Sequence, residues 1–377
     1  MKPINTMKTL QRLPGKQAGL SLIELMIASV IGLIILGGAV TILTSNSASS
    51  SMSSGMARLQ DSGRVALDIL SNSVRMAGFE GCRSASKPSP TVIAAQEPNI
   101  NLPATALWGS EFGNGFAPPR PATLANLDGN VRPNTDVIYP QFASGRAAAL
   151  STAMSSPSDG SITLASNPDQ VIPGDLMIIS DCNNATVFRA SAVNDNAGAT
   201  QIAYGAGVNS SATLSATFGE AGLLNDVPTR IMRFEASAFF VGPSPRSTPG
   251  GDTIFSLYAL DTSTALIGNP TELIEGVENI QILYGEVVGD ELADGGSIRY
   301  VTANNVTDFA NVVAVQIGIL IATADFSASD NDTRTYNVAG TTIGPPGDIN
   351  ADFTHEGDKR LRAAFNTTIQ LRNRVRL

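Results

Sequence analysis

The chain has 377 residues, of which 43% are apolar and only 15% carry a charge, whereas roughly 25% is typical of globular proteins. Its formal net charge is −9, so it repels phosphate backbones and we expect no nucleic-acid partner. With one histidine and two cysteines, it has few side chains for a catalytic triad or a metal cluster, so we expect neither an enzyme nor a cofactor.

The first predicted element is an apolar helix over residues 20–43. This stretch has 24 residues, one charge and no proline. As a helix it is about 36 Å long, enough to cross the roughly 30 Å hydrocarbon core of a bilayer. All the charges before it are basic, and no basic residue follows it until Arg58. This asymmetry predicts a cytoplasmic N-terminus with the rest of the chain across the membrane.

Two ordinary explanations of this segment fit less well. A secretory signal peptide has an apolar region of about 7–15 residues closed by small residues, and the run here is longer. A plain membrane anchor does not explain Glu24, a carboxylate near the start of the run. At a helix centre such a charge costs on the order of 2.5–3.5 kcal/mol on insertion scales, and less near the end. We therefore expect Glu24 to have a partner.

Residues 19–26, which read GLSLIELM, resemble the class III signal of type IV prepilins and type II secretion pseudopilins. In that family a membrane aspartyl peptidase cuts after the glycine, and the new N-terminal residue is methylated. The resemblance implies cleavage between Gly19 and Leu20, methylation of Leu20, and a salt bridge from Glu24 to the freed amine of a neighbouring subunit. Leu20 departs from the usual Phe. An amine is a suitable partner for a carboxylate in an apolar bundle. Met7 is an alternative start to Met1.

The second predicted element is an amphipathic continuation of the same helix. Residues 44–55 are rich in serine, a composition that also fits a linker, so two helices with a flexible joint are the alternative. The period then becomes helical up to Gly78, which predicts one helix over residues 20–77. The positions at spacings of three and four are Met56, Leu59, Gly63, Ala66, Leu70, Val74 and Ala77.

From residue 79 onward, alternating apolar residues and frequent turn residues predict short strands. The three clearest strands are residues 230–241, 312–322 and 363–373, and weaker ones are residues 135–142, 174–180, 186–192, 253–259 and 277–287. Segments rich in Pro, Gly, Ser, Asn and Asp predict loops at residues 84–130, 143–160 and 325–350. The fold class is therefore α+β, with a long N-terminal helix packed on a mainly antiparallel head.

Several later segments resemble PilW-type minor pilins of bacterial type IV pilus assembly. They are residues 75–82 (RMAGFEGC), 134–138 (NTDVI), 173–176 with 180–182 (PGDL, SDC), 273–281 with 284–285 (LIEGVENIQ, YG) and 371–374 (LRNR). The resemblance implies a minor pilin that joins other minor pilins to prime pilus growth near the tip, beneath a larger adhesin-like protein. Its implied partners also include the prepilin peptidase, the inner membrane and the major pilin.

The expected organisation is a leader over residues 1–19, a membrane helix over 20–43, an amphipathic helix over 44–78 and a periplasmic head over 79–377. After assembly the protein is expected at the cell surface in the pilus. In an oxidising periplasm Cys82 and Cys182 are expected to form a disulfide, and two free thiols are the alternative.

The remaining polar residues predict no site. We expect His355 on the surface and Glu275 and Glu278 to be ordinary edge or turn charges. The acidic groups Asp290, Glu291 and Asp294, and Asp325, Asp330 and Asp332, do not fit the calcium-loop pattern, and we expect solvated loop charges rather than a calcium site.

Two other functions remain open from the sequence. A J-type minor pseudopilin of type II secretion is a close relative, and loss of pili against loss of enzyme secretion would distinguish the two. An adhesin or ligand-binding head on a pilin stalk would predict a concave site in the head.

Overall fold

The computed structural model describes residues 19, 21–81, 90–94, 106–120, 122–167, 169–196, 198–219, 229–264, 268–289 and 297–373. Its one α-helix, α1, runs from Leu22 to Met76 without interruption. The predicted single helix is therefore confirmed through the serine-rich stretch. Among the described residues, those before Met52 and those from Met52 onward form two compact units.

The second half of α1 is amphipathic, as its period predicts. Its buried residues are Gly55, Leu59, Gly63, Ala66, Leu70 and Val74, followed by the buried Ala77. Gly55 takes the place of the predicted Met56, which is half-buried. The apolar stripe therefore packs on the β-strands of the second unit, and burial of this face stabilises the second half of the helix.

The described residues of the head form nineteen strands and three short 3-10 helices. The strands are β1 (Thr91–Val92), β2 (Leu107–Phe112), β3 (Phe116–Ala117), β4 (Thr135–Ala149), β5 (Ser161–Leu164), β6 (Leu176–Asp181), β7 (Asn184–Arg189), β8 (Ala192–Asn196), β9 (Ala199–Ala203), β10 (Arg230–Ser247), β11 (Thr253–Asp261), β12 (Thr271–Glu275), β13 (Val277–Val288), β14 (Ser297–Val301), β15 (Val312–Ala322), β16 (Tyr336–Val338), β17 (Thr341–Gly344), β18 (Phe353–Thr354) and β19 (Arg362–Gln370). The 3-10 helices are Ala122–Leu127, Ala303–Asn305 and Phe309–Asn311.

The largest sheet has nine strands centred on β10. Its main order is β1-β7-β6-β10-β4-β2-β3, and β11 and β12 continue from β10. Strand β10 pairs with β6 and β4 through its first half, and with β11 through its second half. A register shift between Met232 and Phe234 accompanies this change of partner. Because a bulge bends a strand and increases its twist, β10 can serve both parts of the sheet.

The sheet beneath α1 has four antiparallel strands in the order β14-β13-β15-β19. The central strand β15 is apolar on both faces, which fits its position between two neighbours. One hydrophobic cluster joins the α1 stripe to this sheet, with members that include Leu70, Ile280 and Ile317. The described residues also form two three-stranded sheets, β16-β17-β18 and β5-β9-β8.

All eight predicted strands are confirmed, although β19 ends at Gln370 rather than at residue 373. The predicted loops were wrong in part. Strand β4 continues to Ala149, well into the loop predicted at residues 143–160. Strands β1, β2 and β3 lie in the loop predicted at residues 84–130, and β16 and β17 lie in the one predicted at residues 325–350. Most of these segments are short or rich in glycine and small residues, so they carry little alternation. Their pairing partners fix their conformation instead.

Candidate functional site

The described start of α1 is a reciprocal N-terminal cap. Ser21 Oγ accepts the backbone N–H of Glu24 at 3.2 Å, and the Glu24 carboxylate accepts the backbone N–H of Ser21 at 3.0 Å. This is the capping box, in which two helix N–H groups without a helical partner are both satisfied. The pattern Ser-x-x-Glu was present in the sequence and could have predicted it. Leu20 lies outside the described residues, and Gly19 is exposed.

The first half of α1 exposes its apolar side chains on every side. Leu22, Ile34 and Leu43 are each about two-thirds or more exposed, and Ile31 is 51% exposed. The helix is long and apolar enough to cross a membrane. A helix that is apolar all round belongs inside a membrane or a bundle of other helices, because water would have to cover this surface otherwise.

Hydroxyl side chains of α1 bond back to the helix itself. Thr41 Oγ1 donates to the Gly37 carbonyl oxygen at 2.9 Å, and Thr44 Oγ1 donates to that of Val40 at 3.0 Å. These bonds satisfy the hydroxyls within the helix, so they need no water or neighbouring chain.

Two glycines bring the second half of α1 close to the C-terminal part of the chain. A Cβ atom at Gly55 would lie 2.9 Å from Ser327 and 3.3 Å from Leu361, and one at Gly63 would overlap the ring of Phe365. The helix therefore approaches β19 and its preceding segments more closely than any larger residue allows.

The end of α1 is held by residues from distant parts of the chain. The Asn373 side-chain amide donates to the carbonyl oxygens of Met76 at 3.3 Å and Ala77 at 3.4 Å. Gly78, at φ +78°, donates its N–H to the Gln141 carbonyl oxygen at 2.9 Å. The left-handed glycine ends the helix, and Asn373 satisfies carbonyls that the helix leaves free.

The predicted cysteine pair lies partly outside the described residues. Cys182 follows β6, in the turn between β6 and β7, whereas Cys82 is not described. Gly81, the residue before Cys82, is close to this turn, since a Cβ atom there would lie 3.8 Å from Ser180. The disulfide stays a prediction.

A buried ionic cluster ties β13 to β19. The Glu278 carboxylate accepts Nε of Arg362 at 2.7 Å and its Nη2 at 3.0 Å, and Nη2 of Arg360 lies 2.8 Å from it. Asp358 lies 2.8 Å from Nη2 of Arg362. Burial alone would lower the pKa of Arg362, but Glu278 and Asp358 raise it above its ordinary value. The prediction that Glu278 is an ordinary edge charge was wrong, because its two arginine partners lie far along the chain.

Two further polar predictions were wrong. His355 is only 3% exposed: its Nδ1 accepts the Gly357 N–H at 3.0 Å, and its Nε2 lies 2.9 Å from the Arg334 carbonyl oxygen. Asp332 is also buried, and it accepts the Tyr336 hydroxyl at 2.8 Å and Nε of Arg334 at 2.9 Å. Hydrogen-bonding partners permit the burial of both side chains.

No group of three or more His, Cys, Asp or Glu side chains in the described part of the chain is placed to hold a metal ion. The acidic group at Asp290, Glu291 and Asp294 lies outside the described residues.

Comparison with known families gives two matches. Residues 239–373, about a third of the chain, match type IV pilus-assembly protein W, and residues 14–40 match the prokaryotic N-terminal methylation motif. The first match covers β11 to β19 and the second half of β10, and these strands include β13, β15 and β19, on which α1 packs. The second covers the predicted cleavage site and most of the apolar helix. No curated protein matches the chain.

Proposed function

We propose that this chain, a PilW-like type IV pilin by both of these matches, is a minor pilin that joins other minor pilins to prime pilus growth at or near the tip. The matches support a role in type IV pilus assembly, and the priming and tip positions are our proposal. The observation that carries it is the helix that follows the methylation motif, whose exposed apolar first half suits a membrane and later a filament bundle.

The proposed pathway begins in the inner membrane, with the head in the periplasm. The prepilin peptidase cuts between Gly19 and Leu20, and the new α-amine of Leu20 is methylated. The subunit then moves from the membrane into the filament and packs beside other minor pilins and the major pilin, below an adhesin-like tip protein. The protein acts through these contacts rather than through catalytic turnover.

Glu24 is the residue that we propose contacts a neighbouring subunit. In the isolated chain the Glu24 carboxylate accepts a hydrogen bond from the Ser21 N–H at the N-terminal end of α1. The charge thus stays at a defined position, where the α-amine of a neighbour can meet it. An ion pair in an apolar helix bundle mainly sets the register between neighbouring subunits, because any register that separates the two charges leaves a buried charge unpaired.

Replacing Glu24 by glutamine is expected to reduce pilus number and recovery of partner pilins strongly, while leaving insertion and folding unchanged. Glutamine retains the capping box, so this variant removes the charge and leaves the helix cap in place. The matched control is Ser21→Ala, which removes half of the cap and keeps the charge. Pili are counted and partner pilins co-purified from cells with equal amounts of each protein.

Both variants should start at Leu20 on N-terminal sequencing, as the wild type should. Assembly of Glu24→Gln at the wild-type level would contradict the proposed contact, and a different N-terminus would contradict the cleavage site. If cells with Glu24→Gln kept normal pili but lost enzyme secretion, the chain would instead belong to a type II secretion system.

We also propose that Cys82 and Cys182 form a disulfide. The proximity of Gly81 to Ser180 supports it, because both cysteines are near neighbours of these two residues in the chain. Mass spectrometry of the unreduced periplasmic protein is expected to show one peptide pair joined through these residues. Recovery of both thiols in alkylated form from the native protein would contradict the pairing.

A further inference from the structure

A cavity of about 320 Å³ lies in the head where β2, β4 and β13 meet the turn between β16 and β17. Its lining includes three carboxylic acids, Glu111, Asp136 and Asp352, and the described residues around it include no lysine, arginine or histidine. The cavity thus has an acidic lining without a compensating cation.

Asp136 is the most deeply placed of the three acids. It is only 5% exposed, and its Oδ2 accepts the Ile282 N–H at 2.7 Å. No described residue donates a hydrogen bond to its Oδ1. Burial, with the nearby charge of Glu111, raises the pKa of Asp136 well above its ordinary value. A buried carboxyl group with an unused oxygen favours a ligand that donates hydrogen bonds or carries positive charge.

The carboxylates of the other two acids, Asp352 and Glu111, also have acceptor sites that remain free. The Asp352 carboxylate accepts a hydrogen bond from the backbone N–H of Thr342 at 2.8 Å. The carboxylate of the half-buried Glu111 accepts one from the backbone N–H of Asn304 at 3.3 Å. Each carboxylate can accept several hydrogen bonds, so both retain free acceptor sites. A donor with several N–H groups could reach more than one of them.

The apolar side chains in the lining favour a ligand that has an apolar part as well as a positive charge. Phe112, Leu283 and Phe353 also line the cavity. A calcium or magnesium ion requires oxygen ligands on most sides, which such side chains cannot supply. An alkyl chain that ends in an ammonium group matches both parts, since the chain packs on apolar surface while the ammonium donates up to three hydrogen bonds.

Two segments that are distant in sequence, residues 134–138 and 273–281, contribute to a wall of the cavity. The side-chain amides of Asn279 and Gln281 each donate to the Asn134 carbonyl oxygen at 3.0 Å. Asn134 has a φ of +61°, a conformation that asparagine tolerates better than most residues. These bonds hold the start of β4 against β13, and they place Asp136 opposite Ile282.

We propose that this cavity binds an alkylammonium group, either a lysine side chain of another protein or a free alkylamine. The carboxylates pair with the ammonium, and the phenylalanine and leucine side chains pack on the alkyl chain. This binding is independent of the proposed role of Glu24, because every residue involved lies in the head.

Calorimetric titration of the full-length protein in detergent micelles with n-butylammonium chloride tests the proposal. We expect saturable binding that Glu111→Gln and Asp136→Asn each weaken roughly tenfold, which corresponds to about 1.4 kcal/mol. The matched control Glu235→Gln removes a half-buried acid outside the cavity and should leave binding unchanged. Glu111→Gln keeps the test valid if Asp136→Asn does not fold, since Glu111 is less buried.

n-Butanol is the neutral probe of the same shape, and it should bind far more weakly than n-butylammonium. Nα-acetyl-lysine methylamide distinguishes the two sources. Binding of this compound supports a protein lysine as the ligand, and binding of n-butylammonium alone supports a free amine. No saturable binding, equal binding of n-butanol, or unchanged affinity in Glu111→Gln would each overturn the proposal.

Discussion

Replacing Glu278 by glutamine is expected to lower the free energy of unfolding of the second unit by about 3–5 kcal/mol, as breaking a buried ion pair typically does. The side chain is 1% exposed and faces the guanidinium groups of Arg360 and Arg362, both fully buried. Glutamine keeps the shape but removes the negative charge. The two cations would then share only Asp358 and the more distant Asp332 as acidic partners.

The matched control is Glu275→Gln, three residues earlier in the chain. Glu275 also pairs with an arginine, Arg246, but that guanidinium is 64% exposed. Exposed pairs contribute about 0–1 kcal/mol, so this change should have a small effect. The change in unfolding free energy of each variant is measured by urea unfolding of the full chain in micelles, followed by the fluorescence of the single tryptophan, Trp108. Equal effects of the two substitutions would show that the cluster is not the stabilising contact.

Replacing Gly109 by alanine is expected to destabilise the second unit at or above the upper end of the about 1–3 kcal/mol typical of overpacking. Gly109 lies on β2 opposite Ile138 of β4, and a Cβ atom there would overlap the Tyr284 hydroxyl. Tyr284 is fully buried on β13, so its ring has little space in which to move. The contact joins the large sheet to the four-stranded sheet, and a shift would disturb both.

Gly113→Ala is the control, because no atom lies within 4 Å of its added Cβ. A second variant tests the cause. Tyr284→Leu shortens the side chain that the methyl group added at Gly109 would meet, so the double variant should lose less stability than the sum of the two single variants. Additive losses would place the strain elsewhere. Tyr284→Phe should be close to neutral, since it removes a buried hydroxyl that forms no hydrogen bond with any described residue.

The helix and the main strands could be predicted because their signals are local. The positions at spacings of three and four from Leu59 to Ala77 are the residues that the structure buries. Burial also alternates along parts of β10 and β19, whereas β15 is a strand as predicted but is buried on both faces. The N-terminal motif is also local. It predicts a cleavage site and an assembly carboxylate from residues 19–26 alone.

The buried charges could not be predicted because their partners are distant in sequence. Glu278 and Arg362 are 84 residues apart, and Gln281 bonds to the carbonyl of a residue 147 positions earlier. A single sequence gives no sign that such residues meet. His355 was wrongly expected on the surface for the same reason, since the backbone carbonyl of Arg334 that contacts it has no sequence signature.

The bond between Asn373 and Met76 joins residues 297 positions apart, so it can form only after the chain has been made through residue 373. Phe365 and Leu361, which meet the glycines of α1, also come from the last strand region. Contacts of such long separation form late, because the intervening loop must be closed first. Until then part of the amphipathic face of α1 lacks its partners. A chain without residues 361–373 would therefore leave that part of the helix face uncovered, although β13 and β15 could still pack on the rest.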